Sequence, residues 1–381
     1  MKPRGLIQMV SKPVAPPWDD SGKNIVKAQI DCARNYAYRI MSTSDFDHDS
    51  ESVECEGIYG DAGTYSPGYM QNLKALRRAL FSSGASLLHY FFAPNPVSST
   101  AGGIVKMLGR IPCVQTVSSA PRSWEGIRKL LFADRIIVLS EYSRTRMLSA
   151  GIEKERVCLV PPGITDITHS PERARKIRAR EIRARISTDP DLRLIIYPGD
   201  LEFSSAAKTI MSDLPAMIEK FPSLVMVFAC RKKTPAAAGV EEKLKHDLSA
   251  AGLMKNCRFV GRVDNIHDML AASDIVILPA DDLYAKMDIP LVLIEAMQLG
   301  RCVLVADSAP LNETVGSDAG FLVEPGKAGA LASAITELLS SPDKIRIAGD
   351  KAAVFAENTY SAQRMTRDIE LIYDEILEHG K

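Results

Sequence analysis

The chain has 381 residues, 46% of them apolar, with Lys plus Arg and Asp plus Glu balanced at 47 each. That length and apolar content suffice for two ordinary cores, and the balanced charge gives no footprint for a nucleic-acid partner. No apolar run approaches the ~20 residues of a membrane span, and the opening MKPRGLIQMVSKP is broken too soon for a signal peptide.

In chain order, apolar runs of strand length fall at 6–10, 37–41, 86–92, 111–117, 135–139, 157–160, 192–197, 224–230, 257–260, 275–278 and 302–306. The run at 51–59 is ambiguous, an edge strand being one reading. Between the runs lie helical patterns such as 69–82, 214–221, 240–251, 263–272, 292–299 and 328–340, and an amphipathic helix at 361–378 closes the chain. This alternation predicts parallel sheets with helices on both faces, whose ligands bind beyond the carboxyl ends of the strands. Segment 170–191 breaks the pattern. It is highly charged, with Ile177, Ile182 and Ile186 at near-helical spacing, and predicts a surface helix, either solvated or touching acidic lipid or a phosphate.

Several loops and side chains are candidate ligand contacts. In the loop 16–24, PPWDDSGKN, Lys23 or Ser21 suits a phosphate at a helix N-terminus, or Asp19 or Ser21 caps an ordinary turn. His89, inside LLHYFFAP, fits a satisfied core histidine better than a ligand-binding one. Loops 95–99 and 118–124 end strands and are candidate ligand loops, the second opening on Ser118. The helix at 69–82 sets Lys74, Arg77 and Arg78 beside Leu73, Leu76 and Leu80. Its basic face suits an anionic membrane, but the leucines suit a core-facing stripe better. The seven cysteines are scattered and form no C-x-x-C pair, which predicts core thiols in a reducing cytoplasm. The six histidines lack ligand spacing, so no metal site is expected.

The most informative stretch is 273–300, SDIVILPADDLYAKMDIPLVLIEAMQLG. A strand ends in Pro279, a loop follows, and a helix opens with Pro290 at its first position, where the missing N–H costs nothing. The Leu291 and Val292 amides then point out of the helix N-terminus, a ready diphosphate site. Glu295 shares their face three and four residues on, where its carboxylate can accept hydrogen bonds from ribose hydroxyls. The alternative is a surface Glu on an ordinary helix.

This stretch resembles the C-terminal signature of family 4 glycosyltransferases, two glutamates separated by seven residues before an E-A-M-x-x-G run. Glu295-Ala296-Met297-Gln298-Leu299-Gly300 matches its second half. Further resemblances follow in order at Ser140–Ser143, Val160–Ile164, Phe259–Val263, Leu270–Ile275, Gly320–Val323 and Pro325-Gly326. The resemblance covers residues 130–380 and implies the GT-B fold, two Rossmann-like doubly wound domains facing a central cleft. Residues 1–165 would form the acceptor domain, with the C-terminal helix 361–379 packing back on it. Residues 166–191 would form a linker or surface helix, and 192–360 the donor domain. Gly199, Arg262 and Val263 fall where the family meets the donor.

The departures are specific. The family's first glutamate falls at Met287, and Asp288, one residue on, is the candidate substitute. Asp200 and Ser205 stand where an Arg and a Lys face the leaving diphosphate. Lys208, Arg231, Lys232 and Lys233 are the nearby replacements, and Arg231 directly follows the strand at 224–230. The alternative for Arg231 is a surface charge. Ser118 occupies the place of an N-domain histidine.

The resulting expectation is a retaining, metal-independent glycosyltransferase without a cofactor. It would move a sugar from a nucleoside-diphosphate sugar to an unknown acceptor, whether glycan, lipid or small molecule. Asp288, Arg231 and Ser118 are the catalytic candidates. Glu295, Leu291, Val292, Gly199, Arg231, Lys232, Arg262, Val263 and Asp288 are the donor-binding ones. The rival readings are a sugar-nucleotide epimerase on the same fold and a non-catalytic binding or scaffold relative. The expected location is the cytoplasm, with peripheral membrane contact as a further reading.

Overall fold

Every strand pairing between the sheet strands in the computed structural model is parallel. The structure describes residues 3–62, 68–82, 84–121, 123–168, 172–232, 234–263, 265–283 and 286–379. Their strands form two sheets, and the chain divides into two units with one sheet each.

The first unit comprises residues 1–165, 286–289 and 359–381. Its strands are β1 (Leu6–Val10), β2 (Ala37–Thr43), β3 (Val53–Tyr59), β4 (Leu87–Phe91), β5 (Cys113–Val117), β6 (Arg135–Val138) and β7 (Val157–Leu159). They lie in the order β3-β2-β1-β4-β5-β6-β7, so the ambiguous run at 51–59 is an edge strand. Helices α1 (Ser21–Asp31), α2 (Tyr69–Leu80), α3 (Pro96–Gly109) and α4 (Glu141–Ser149) intervene. β4 and β5 are buried at every residue, as central strands covered on both faces must be. On one face Leu88, Tyr90 and Cys113 pack with Ala79 of α2 and Val105 of α3. α3 contains the helix-weakening pair Gly102-Gly103, yet a Cβ at Gly102 would stand 2.2 Å from the Phe132 ring. The close approach of that ring explains the glycine.

The second unit comprises residues 166–285 and 290–358. It opens with α5 (Glu172–Ile186) and continues through β8 (Arg193–Tyr197), α6 (Ala206–Lys220), β9 (Leu224–Phe228), α7 (Pro235–Ala250), β10 (Cys257–Phe259) and α8 (Ile266–Ala272). Then follow β11 (Ile275–Leu278), α9 (Leu291–Gln298), β12 (Cys302–Ala306), β13 (Phe321–Val323), α10 (Ala330–Leu339) and α11 (Pro342–Thr359). The order β10-β9-β8-β11-β12-β13 is the 3-2-1-4-5-6 arrangement of dinucleotide-binding sheets.

Three boundaries differ from the sequence reading. The segment 166–191 is not a separate linker but part of the second unit. Arg178 of α5 donates to Asp268 (2.8 Å) and Arg183 to the Ala272 carbonyl (2.9 Å) and Asp274, so these charges serve that unit's own packing. α6 begins eight residues before the expected 214 and runs through Pro215. Residues 286–289 belong to the first unit although the chain on both sides of them belongs to the second.

The last helix, α12 (Ala362–His379), belongs to the first unit and packs on α1. Its buried polar side chains are matched one by one. Gln29 of α1 donates to the Tyr373 hydroxyl (2.8 Å), which in turn meets Nδ1 of His89 (2.5 Å), and Nε2 of His89 meets the Thr116 hydroxyl (2.7 Å). Glu370 accepts from the Arg34 and Asn35 amides and the Asn35 side chain. His89 is therefore the satisfied core histidine that its apolar run suggested.

Candidate functional site

In the second unit the chain winds outward from β8 to β10, then returns to β11 and winds the other way. The connections after β8 and β11 therefore leave on opposite faces, and their carboxyl ends flank the crevice where such sheets take ligands. Beyond β8 stand Pro198, Gly199 and Asp200. A Cβ at Gly199 would lie 2.1 Å from the Tyr197 ring, so this turn accepts no side chain. The Tyr197 hydroxyl donates to the Asp200 carbonyl (2.6 Å), and the Asp200 carboxylate accepts from the Glu202 (3.1 Å) and Phe203 (2.7 Å) amides. Beyond β11, Asp281 accepts from the Ser205 amide (3.1 Å). Burial pushes the Asp281 pKa up, but hydrogen bonds from Ser205 and from its own loop amides leave it below the ordinary value. Carboxylates thus occupy a strand edge where the resemblance led one to expect an Arg and a Lys.

Arg231 lies half-buried three residues past the end of β9, and Lys232 is exposed beside it. Lys232 pairs with Glu241 of α7 (3.3 Å), which also holds Lys245 (2.7 Å). Lys233 lies outside the described residues. Gly261 turns the chain after β10 with φ +59°, a conformation that suits glycine, and sets out Arg262, exposed, and Val263, half-buried.

α9 follows β11, so its N-terminus lies on the carboxyl side of the sheet. Pro290 is its N-cap rather than its first helical residue, as the extended ψ of 119° shows. Proline carries no capping group, and no side chain caps α9. The Leu291 and Val292 amides are left at the positive end of the helix dipole. Glu295, one turn later, is largely buried, and its Oε2 lies 3.7 Å from Nε2 of His267 on α8. Sequence reading missed His267, since α8 is short and the pairing joins separate elements.

Burial pulls the His267 pKa down, but the hydrogen bond and charge of Glu295, with the charge of Asp268, raise it net above the ordinary value. In Glu295→Gln the His267 pKa should therefore drop by a readily measured amount in an NMR titration of the ring protons. An unchanged value would mean that the pair does not form in solution.

The first unit gathers Asp288 and Ser118 in a different role from the one expected. Asp288 is 1% exposed. Its Oδ1 accepts from the Ala120 amide (2.7 Å) and its Oδ2 from the Ser140 (2.7 Å) and Ser143 hydroxyls, while its own amide donates to the Ser118 carbonyl (3.0 Å). Asp288, expected as a sugar-binding or catalytic carboxylate, is thus placed in the packing of the first unit, with both oxygens taken by protein donors. Ser118 meets it through backbone, not hydroxyl.

Lys23 is likewise corrected. It is buried, and its ammonium donates to the Pro17 (3.0 Å) and Ala62 (2.8 Å) carbonyls, with burial pushing its pKa down. The cap of α1 is Asp20, rather than Asp19 or Ser21, and it already holds the Gly22 and Lys23 amides. Asn95 caps α3 through the Ser98 amide (2.9 Å), so that candidate ligand loop is a helix start. In the other candidate loop, Arg122 lies outside the described residues.

Comparison with known proteins adds the following. Residues 179–361, just under half of the chain, match the family model described as Glycosyl transferases group 1. The chain is 28% identical over 124 residues to an N-acetyl-alpha-D-glucosaminyl L-malate synthase of Bacillus anthracis, 32% of each chain being covered. It is 25% identical over 231 residues to a D-inositol 3-phosphate glycosyltransferase of Rhodococcus jostii (strain RHA1), covering 59% of this chain and 49% of that one. The matches thus span half or less of these relatives. The fold resembles that of Anabaena Alr3699/HepE in complex with UDP and glucose, with a TM-score of 0.74 at 18% identity over 97% of this chain and 99% of that chain. The two Rossmann-like α/β units are therefore those of the GT-B class, as expected.

Proposed function

We propose, from a second unit that matches the glycosyl transferases group 1 model, that this chain is a glycosyltransferase using a nucleoside-diphosphate sugar. The observation that carries the reading is α9. Its uncapped N-terminus presents the Leu291 and Val292 amides, and Glu295 stands one turn behind them in a 3-2-1-4-5-6 sheet. The amides take the diphosphate, and Glu295 accepts from the ribose hydroxyls. Gly199 lets backbone approach the phosphates, while Arg262 and Val263 flank the base. Among the cations near the strand ends, Arg231 is assigned to the departing charge, and Lys232 is held by Glu241.

The reaction transfers a hexosyl or related group with retention and without a metal. The acceptor oxygen bonds to the anomeric carbon as the bond to the diphosphate oxygen breaks. The acceptor proton passes to that phosphate oxygen. Positioning and charge stabilisation supply the catalysis. The acceptor is a glycan, a lipid or a small molecule. The presence of UDP in the Anabaena protein makes uridine diphosphate sugars the first donors to try.

A second reading is favoured by Asp200 and Asp281, carboxylates near the expected phosphate cations: a protein that binds a nucleotide sugar without transferring it. Release of nucleoside diphosphate across a panel of nucleotide sugars separates the two. Turnover supports the transferase, and binding without turnover supports the carrier.

The donor site itself is tested by Glu295→Gln, which preserves volume and helix propensity. A hydrogen bond to a charged group is worth about 1.5–3 kcal/mol, against about 1 for a neutral one. Nucleotide-sugar affinity should fall by about tenfold or more. A deoxyribose donor, lacking one hydroxyl, should lose far less, and titrating both donors into both proteins closes a double-mutant cycle. If Glu295→Gln binds both donors as the wild type does, α9 is not the donor site.

A further inference from the structure

From Ala62 to Trp124 the chain contains no Asp or Glu, although acidic and basic residues balance over its whole length. That stretch holds α2 and α3, which pack side by side. More than half of the exposed large apolar side chains among the described residues fall between residues 70 and 108. On α2 they include Met70 (65% exposed), with Phe81 (66%) at the helix end. On α3, Val97 (81%), Ile104, Met107 (69%) and Leu108 recur at helical spacing. Ordinary surfaces scatter such residues singly, and contiguous ones mark an interaction face. The inward faces of both helices are already used, by Leu76, Ala79 and Leu80 of α2 and Val105 of α3 against the sheet. The apolar residues named here are therefore not core residues awaiting a better fit.

The charges select the occupant. Arg78 is paired with Glu56, and Lys106 with Asp134 (2.6 Å). Lys74, Arg77 and Arg110 are exposed, and no carboxylate among the described residues pairs with them. Two packed helices with three unpaired exposed cations, large exposed apolar side chains and no acidic residue of their own match an anionic bilayer surface. Phosphate headgroups meet the cations while the apolar tips enter the acyl boundary. No helix of the described residues is long and apolar enough to cross a membrane, so such contact is peripheral. Sequence alone offered Leu73, Leu76 and Leu80 as the apolar partners of the basic residues on α2. The structure removes Leu76 and Leu80 to the core and supplies α3 instead.

We propose that the exposed face of α2 and α3 docks this protein on an anionic membrane. The proposal is independent of the donor site in the second unit. Flotation of the full chain with mixed phosphatidylcholine–phosphatidylglycerol vesicles, against pure phosphatidylcholine, tests it.

Binding should require the anionic lipid and weaken as salt is raised. The triple variant Lys74→Ser, Arg77→Ser, Arg110→Ser should lose about fivefold per charge, roughly a hundredfold in all. Phe81→Ser with Met107→Ser should lose about tenfold or more, through the apolar contact. The emission of a Phe81→Trp variant should shift to the blue on anionic vesicles and be quenched by brominated lipid. All these positions are at the surface, so unchanged denaturation curves will show that the variants fold. Equal flotation of wild type and the triple variant overturns the proposal. So does self-association abolished by Phe81→Ser with Met107→Ser without vesicle binding, which would assign the face to a second copy.

Discussion

Between pH 7 and pH 4 the first unit should lose about 3 kcal/mol of stability through His89 alone. His89 is fully buried, and that burial pushes its pKa from 6.5 down to about 3. The hydrogen bonds assign its tautomer. Gln29 donates to the Tyr373 oxygen, leaving the Tyr373 proton for Nδ1, so Nε2 carries the ring hydrogen and donates to Thr116. A proton added to Nδ1 enters a site where the ring nitrogens meet only the Tyr373 and Thr116 hydroxyls among the described residues, and it must displace the Tyr373 hydrogen bond. Unfolding removes that obstacle, so below pH 6.5 the unfolded chain binds a proton that the folded one refuses. The folded pKa is depressed. The contribution is therefore fully present above about pH 6.5 and is lost as pH falls towards 3, with a slope approaching 1.4 kcal/mol per pH unit.

His89→Gln keeps a donor and an acceptor but cannot titrate, so its stability curve lacks this slope. Both tryptophans, Trp18 and Trp124, lie in the first unit, and their fluorescence in urea titrations reports on that unit. The difference between wild type and His89→Gln should change by about 3 kcal/mol over the window, favouring the variant in acid. Parallel curves would mean that His89 titrates normally and that the α12 network is open to water.

Asp288→Ala should destabilise the first unit by about 3–5 kcal/mol, and Asp288→Asn by about 1 or less. Three donors converge on this carboxylate, and alanine leaves the half-buried Ala120 amide without an acceptor. The Ser140 and Ser143 hydroxyls can rotate, but neither can replace the lost oxygen for that amide. Asparagine keeps an oxygen for Ala120 and offers its NH₂ to hydroxyls that reverse their role. It also removes a buried charge. Burial is the largest influence on the Asp288 pKa and raises it, although Ser143, Ser140 and Ala120 pull it down.

A carboxyl with a raised folded pKa contributes its stability when protonated, and that contribution is lost as pH rises through the folded pKa. The asparagine variant should therefore gain on wild type as pH rises from about 4. The same tryptophan-monitored titrations check both variants. If Asp288→Ala is as stable as wild type while Asp288→Asn abolishes transfer, the carboxylate serves a substrate and not the fold.

The alternation of strand-length apolar runs with helical patterns was enough to specify two parallel doubly wound sheets. Strands buried on both faces must be nearly continuous in apolar residues, and that pattern is local. A helix start at Pro290, to within one residue, and the burial of His89 inside an apolar run were legible for the same reason, although the partners of His89, Thr116 and Tyr373, were not. What Asp288, Lys23 and the outer face of α3 do was not legible. Asp288 meets groups at positions 120, 140 and 143, Lys23 meets the carbonyl of Ala62, and Glu295 meets His267. A carboxylate one residue from a signature glutamate looks like its substitute until the fold turns it inward. Sequence determined the layers and the chemistry available at each position. Only the tertiary structure decided which polar groups were consumed by one another and which were left for a ligand, because hydrogen-bond partners far apart in the chain leave no periodic trace in it.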